Sequence, residues 1–321
     1  MAHEVRVPQP MENFHAVILE RNRIINRRIV RILTCAGFEV TAVEDPAAFL
    51  PAITDATRLV GADGFDVELV LQALRSWPAV KVVLWSGEPI DRLLRTCLEE
   101  PRLSNIIGRP GFDGCPREWE LLLAARRLSR PEHPGFGNLL AWGFTGYQWK
   151  PRETAERDAV TAQVQAFVER IGAPKRVGEM FYELTHELLM NAMYDAPVDP
   201  QGRPKYAYNR KDTIRLEPDE APTVRVASDG MKVLVQVTDP FGRLGRHHVF
   251  GGLVRGLKGG EMDVTGGGAG LGMVKIYHST VTMLYDVVRG QKTEVTGVFD
   301  LDMNLREFRL MPKSVHFFQT G

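Results

Sequence analysis

Two hydrophobic periods alternate along the first 130 residues, and their alternation predicts the fold. Residues 16–19 are a short apolar run closed by Glu20. Ile24, Ile25, Ile29, Ile32 and Leu33 then recur at spacings near 3.6 with arginines between them, the mark of a helix with one buried stripe. Gly37 ends it, and a second strand follows over 38–43. Asp45 can cap a short helix over 46–53, with 58–62 then a strand ending at Asp63. Equally, 49–54 can be the strand, ending at Asp55. Residues 67–77 form an amphipathic helix, 81–85 a buried-type strand before Ser86 and Gly87, and 90–99 a helix. A short strand over 104–107 is closed by Arg109 and Pro110, and 119–128 is a last helix.

Strands alternating with helices imply an α/β unit, a doubly wound parallel sheet with right-handed crossovers. Functional groups in such sheets gather at the C-terminal strand ends. Here those ends carry Glu20 and Arg21, Asp55 or Asp63, Ser86, and Arg109. Over roughly residues 14–130 this constellation resembles the receiver domain of bacterial response regulators. The resemblance implies an acidic pair for Mg²⁺ after the first strand, a phosphoryl-accepting Asp after the third, a hydroxyl and a lysine. The chain departs from that pattern. Glu20 is followed by Arg21 and Asn22, and Arg109 stands where the family has lysine. Octahedral Mg²⁺ requires oxygen ligands, and Arg21 works against it. The expectation is a degenerate receiver used for docking or dimerisation. Residues 1–13, polar with Pro8 and Pro10, read as a loose arm.

Residues 131–152 are punctuated by Pro and Gly but carry Leu139, Leu140, Trp142, Phe144, Tyr147 and Trp149. A flexible linker would not. Some of these aromatics are expected to pack on one domain or to bridge both.

The second half changes pattern. A helix over 153–171 breaks at Gly172, Ala173 and Pro174, and another runs over 177–195. In the latter, Glu183, Glu187, Asn191 and Asp195 recur every four residues and share one face. Asn191 is costly in a helix rich in Leu and Met, so a particular partner is expected, a hydrated cation being one. A polar insertion spans 195–222. Strands over 223–227 and 232–238 are joined through Asp229–Gly230, a hairpin signal, and the second runs into Asp239-Pro240-Phe241-Gly242. A long loop with His247, His248 and Lys258 follows. It ends in TGGGAGLGMVKIYHS, where five glycines in seven positions precede a helix-compatible run. Glycines permit close backbone approach, and the following helix offers unpaired N–H groups, a credible phosphate cradle. Strands over 281–288 and 294–301 form a second antiparallel pair, and 306–310 is read as an edge strand.

Helix with Glu-x-x-x-Asn, strand, Asp-x-x-Gly, long loop, Gly-rich turn, helix, two strands: over about 153–302 this order resembles the GHKL ATP-binding fold of histidine kinases, anti-sigma-factor serine kinases and gyrase. It implies an α+β ATPase sandwich over 153–321 with ATP and Mg²⁺ as cofactors. Asn191 matches the Mg²⁺-coordinating Asn, and Glu187 the position that orients or deprotonates the nucleophile. Asp239 matches the Asp that accepts the adenine amino proton, and Gly242 a glycine that lets the base approach. Gly268, Gly270, Leu271 and Gly272 match the turn beneath the phosphates, and 243–265 the ATP lid. Lys258 or Arg255 could meet the γ-phosphate or be solvated lid charges. Two departures stand out. Pro240 stiffens the Asp239 motif, and Asp195 sits one turn after Asn191, where the family often has a basic residue.

Composition narrows the class. The 321 residues suggest about two domains. Lys plus Arg equals Asp plus Glu at 40 each, which argues for neither nucleic acid nor a membrane surface. Cys35, Cys97 and Cys115 are far apart, no apolar run is long enough to span a bilayer, and the N-terminus lacks a signal-peptide core. The expected location is cytoplasmic. No long helical segment carries a phosphorylatable His, and only about twenty residues follow the ATP fold, too few for a transducer domain. The chain is thus most similar to anti-sigma-factor-type serine kinases. The implied reaction is γ-phosphoryl transfer from Mg·ATP to Ser or Thr of a regulatory protein partner, with a homodimer possible. A non-catalytic, ATP-dependent interaction switch is the competing expectation.

Overall fold

Buried apolar runs set the first sheet, and the computed structural model, which describes residues 14–111, 113–130, 133–257 and 269–321, places them in its centre. The chain divides into two compact units. One takes Met1–Gly87 and Arg109–Glu132, the other Glu88–Gly108 and His133–Gly321.

The first unit begins with β1 (Phe14–Leu19), α1 (Arg23–Cys35), β2 (Phe38–Val43), α2 (Phe49–Ala52), β3 (Thr57–Asp63), α3 (Val67–Ser76) and β4 (Lys81–Ser86). The next two elements, α4 (Asp91–Glu99) and β5 (Asn105–Gly108), fall in the second unit, and α5 (Glu118–Ser129) closes the first. Strands β2, β1, β3 and β4 lie in that order and pair in parallel. The doubly wound expectation is met. Ala16, Val17, Ile18 and Leu19 are all fully buried, as a central parallel strand covered on both faces requires. Asn22 caps α1 by accepting from the Ile24 and Ile25 amides at 3.0 and 3.3 Å. Ile25, Ile29 and Leu33 form its buried stripe, while Ile24 faces out. Gly37 ends the helix with φ of 97°. Of the two readings of 46–63, the structure selects the one ending at Asp63. Pro46 and the Asp45 cap start a helical segment in which Phe49 is buried, and Asp55 sits exposed in a turn.

The second unit continues with β6 (Thr145–Trp149), α6 (Thr154–Arg170), α7 (Lys175–Met190), β7 (Thr223–Ser228), β8 (Lys232–Asp239), α8 (Arg246–Leu257), α9 (Ala269–His278), β9 (Thr282–Val288), β10 (Lys292–Asp300), α10 (Leu305–Leu310) and β11 (Ser314–Thr320). Its strand order is β5-β11-β9-β10-β8-β7-β6. From β9 to β6 every neighbour is antiparallel. β11 runs parallel to β9 and antiparallel to β5.

Four sequence expectations change here. The 306–310 segment is helix α10 rather than an edge strand, because Asn304 and Glu307 form a capping box at its start. The last strand lies further on, at β11. The aromatic connector contributes β6, where Tyr147 stacks on Trp149 at 5.8 Å and meets Phe167 edge-on at 5.7 Å. Part of the long loop is helix α8, whose Val249, Phe250 and Leu253 are buried. Residues 88–108, expected within the 14–130 block, cluster with the C-terminal half because α4 packs on α8 and β5 pairs with β11.

Arg246, the first residue of α8, secures the α4 end. Its guanidinium donates to the carbonyls of Cys97 and Leu103, the latter at 2.8 Å, and to Ser104 Oγ at 2.6 Å. It thereby satisfies carbonyl groups that the helix end leaves without partners.

Helices α6 and α7 pack on each other, and α7 packs over the sheet. The approach is close at Gly297 on β10, where a Cβ would lie 2.7 Å from Leu184 Cδ2 and 2.8 Å from Thr280 Cγ2. Gly297→Val is therefore expected to destabilise the second unit by about 1–3 kcal/mol through overpacking, read as a lower urea midpoint. An unchanged midpoint would show that Leu184 repacks freely.

Candidate functional site

In the first unit the strand ends meet at the switch point between β1 and β3, where a doubly wound sheet presents its crevice. Glu20 follows β1 and Asp63 ends β3, only 2% and 3% exposed. Arg109, fully buried, lies between them. Its Nη1 is 2.8 Å from Glu20 Oε2 and its Nη2 2.6 Å from Asp63 Oδ2. Trp85 Nε1 also donates to Glu20 Oε2 at 3.1 Å, and the Phe65 amide donates to Asp63 Oδ1 at 2.9 Å. Burial raises the Asp63 carboxyl above the ordinary carboxylate range, with Phe65 and Arg109 pulling the other way. Beside this cluster, Arg21 grips Asp66 through two bonds of 2.5 and 2.7 Å, a fork-to-fork pair. The residues do not fit Mg²⁺. The carboxylates that would ligate it are already bridged by a guanidinium.

In the second unit the sequence motifs converge on α7. This helix packs against β8, which ends at Asp239, and against α9, whose first turn holds Gly270, Leu271 and Gly272. Gly268 and Lys258 lie outside the described residues. The expected α-helix to Asp195 stops at Met190. Residues Asn191–Asp195 form a π-helical turn, with the Ala196 amide bonded to the Asn191 carbonyl at 2.9 Å. The wider turn breaks the four-residue register, so Asp195 leaves the face shared by Glu183, Glu187 and Asn191. Asp195 pairs instead with Arg210 of the 196–222 insertion, whose Nε and Nη2 donate to its two carboxylate oxygens. The cation, fifteen positions further along the chain, balances the charge of Asp195.

Glu187 is largely buried, and its Oε1 accepts from Lys275 Nζ at 2.9 Å. A Cβ on Gly272 would come within 2.7 Å of Glu187 Oε2, so the glycine leaves room for the carboxylate. Asn191 is partly exposed, and among the described residues its side-chain amide makes no hydrogen bond. A neutral amide oxygen one turn from a carboxylate fits Mg²⁺ only as a partial donor set. No group of three or more His, Cys, Asp or Glu suited to a metal occurs among the described residues. Mg²⁺ characteristically takes one or two protein ligands and completes its shell with phosphates and water.

Asp239 is 7% exposed, and its Oδ1 accepts from the Phe241 amide at 2.9 Å. Burial pushes its carboxyl up to about 6, against the backbone N–H groups of Phe241 and Gly242. Among the described residues it forms no ion pair. A buried carboxylate left without a cation is costly for the fold. At Gly242, φ is +60°, and a Cβ would collide with the Val288 carbonyl of the β9–β10 hairpin. Chain packing therefore accounts for this glycine.

Sequence reasoning missed Lys275 and Arg210. Nothing in the local pattern of α9 or the insertion marks them; both matter through tertiary pairing. The connector is likewise tied down at His133, whose Nε2 is 2.7 Å from Glu294 Oε2. Against burial, bonds from His133 and Lys292 draw the Glu294 carboxyl down to about 2. No helix among the described residues is long and apolar enough to cross a membrane.

No family model and no curated protein matches the chain. Three of the solved structures to which it is similar illustrate the likeness. A response regulator from Thermotoga maritima shares 17% identity over 36% of this chain and 97% of its own, with a TM-score of 0.28. The receiver domain of an HD domain-containing protein from Pseudomonas fluorescens Pf-5 shares 17% over 37% and 95%, with a TM-score of 0.32. The SiaB–SiaC complex from Pseudomonas aeruginosa shares 11% over 48% and 88%, with a TM-score of 0.31. At these scores none of the three bears on what the chain does.

Proposed function

We propose that the second unit binds Mg·ATP in the manner of a GHKL domain and transfers the γ-phosphoryl group to Ser or Thr of a regulatory protein. The first unit serves as a receiver-like docking or dimerisation module that is not itself phosphorylated. The observation that carries this reading is Asp239, a buried carboxylate without an ion-pair partner among the described residues, at the end of the strand on which α7 packs. Asp239 accepts the adenine amino group. Asn191 contributes an oxygen to Mg²⁺, and the start of α9 faces the phosphates. Glu187 orients or deprotonates the acceptor hydroxyl, whose oxygen forms the new P–O bond as ADP leaves. Mg²⁺ supplies neutralisation of the phosphate charge, and positioning supplies most of the catalysis.

The Glu187–Lys275 pair favours a second reading. The Lys275 ammonium occupies the Glu187 oxygen that would otherwise meet the acceptor hydroxyl, which suits a switch that binds ATP without turnover. Labelled ATP and a candidate partner separate the two. Glu187→Ala is expected to abolish transfer, a loss of about 10²–10⁴-fold, while Mg·ATP affinity stays within threefold. Tight binding with no transfer by the unsubstituted protein would establish the switch. Absence of any Mg·ATP-dependent thermal shift would overturn both.

A further inference from the structure

A cavity of about 330 Å³ opens between α7, α9 and α10, in the second unit. It has room for a ligand the size of one side chain. Its lining carries four cationic side chains, Arg176, Lys275, Arg309 and Lys313, against one carboxylate, Glu183. Two of the cations are engaged from outside the lining: Arg176 with Glu179 at 3.0 Å, Lys275 with Glu187 at 2.9 Å. Arg309, on the last turn of α10, makes no ion pair among the described residues. Lys313 is buried, with its ammonium 3.2 Å from the Phe308 ring centroid and bonded to the Phe308 carbonyl at 2.5 Å. A buried ammonium at a cavity wall raises the local positive potential, and His278 lines the same cavity. Burial and the Lys313 charge hold that imidazole below its usual range.

We propose that this cavity is an anion site, separate from the Asp239 site, that takes a phosphate monoester dianion. Arg309 supplies a guanidinium fork suited to phosphate oxygens, and Lys313 a fixed point charge behind it. The same chemistry can arrive as free phosphate or as a phosphorylated side chain of another protein. The inference needs no nucleotide at the Asp239 site, so it survives if the ATP reading fails.

Isothermal titration of the full chain with inorganic phosphate, O-phosphoserine and serine tests it. Phosphate and O-phosphoserine are expected to bind, and serine not. Arg309→Ala, an exposed position, should weaken both by about tenfold or more, the loss of one charge-assisted pair. Arg309→Glu should weaken them further, with circular dichroism unchanged. O-phosphoserine binding well above phosphate identifies a phosphorylated side chain as the source, and equal affinities identify free phosphate. No binding of either anion at millimolar concentration, or full affinity in Arg309→Glu, overturns the proposal.

Discussion

Arg109→Met is expected to destabilise the first unit by about 3–5 kcal/mol, the cost of removing one partner from a buried ion cluster. Arg109 is fully buried between Glu20 and Asp63, and each carboxylate takes its own guanidinium nitrogen. Methionine fills similar volume but leaves two acids facing each other in a space closed to water. The Trp85 and Phe65 N–H bonds remain, yet neither carries charge. Arg109→Lys should recover only part of the loss, because one ammonium does not reproduce the fork that reaches both acids. Adding Glu20→Gln and Asp63→Asn to Arg109→Met should recover most of it, since replacing a whole buried ionic group is often near neutral. Acid should also help the single variant. Asp63 is already raised above its ordinary value by burial, so protonation as pH falls relieves the repulsion. Urea titrations at pH 7 and 5 read all of this. A loss below about 0.5 kcal/mol for Arg109→Met would mean the cluster contributes nothing to the fold.

Asp239→Asn carries the opposite signature. Mg·ATP affinity is expected to fall by about 100-fold, while stability at pH 7 holds or rises. Asp239 Oδ1 is already taken by the Phe241 amide. The substitution turns the other oxygen into an NH₂ donor, which meets the adenine amino donor with no acceptor between them. The stability sign follows from linkage. The carboxyl rises from 3.8 to about 6 in the fold, so the folded state binds the proton more tightly than the unfolded state. Its stabilising contribution is present at low pH and is lost as pH rises through this window, a change of about 3 kcal/mol. Asparagine removes that penalty. In the proposed ATP site the ionised form would accept the adenine amino group, so affinity should weaken as pH falls through about 6. The variant should lack this step. Calorimetry between pH 5 and 8, with thermal melts alongside, measures both. Wild-type affinity in the variant would remove Asp239 from the site.

The legible parts were those where local pattern and tertiary role agree. β1 is apolar throughout because it is covered on both faces, and α1 shows its stripe and its cap. Motif order picks out Glu187, Asn191 and Asp239, and the fold packs α7, which carries Glu187 and has Asn191 as its C-terminal cap, against β8, which ends at Asp239. What escaped depends on distant partners. β6 is a largely exposed edge strand without alternation. In β11, Ser314 and His316 hide a strand that is buried from Ser314 to Phe318; His316 is accommodated by Asn105 at 3.2 Å. The Lys275–Glu187 and Arg210–Asp195 pairs exist only once the helices and the insertion are in place.

The pairing of β5 with β11 also sets a timetable. Asn105 and His316 stand 211 positions apart in the chain, and the Gly108 amide reaches Ser314 across 206. During synthesis from the N-terminus, β5 leaves the ribosome long before its partner strand exists. Folding of the second unit is therefore expected to finish late, after closure of one of the longest loops in the chain. A nascent chain arrested before β11 would hold β5 without the strand that pairs with it, an exposed edge of the kind that chaperones shield.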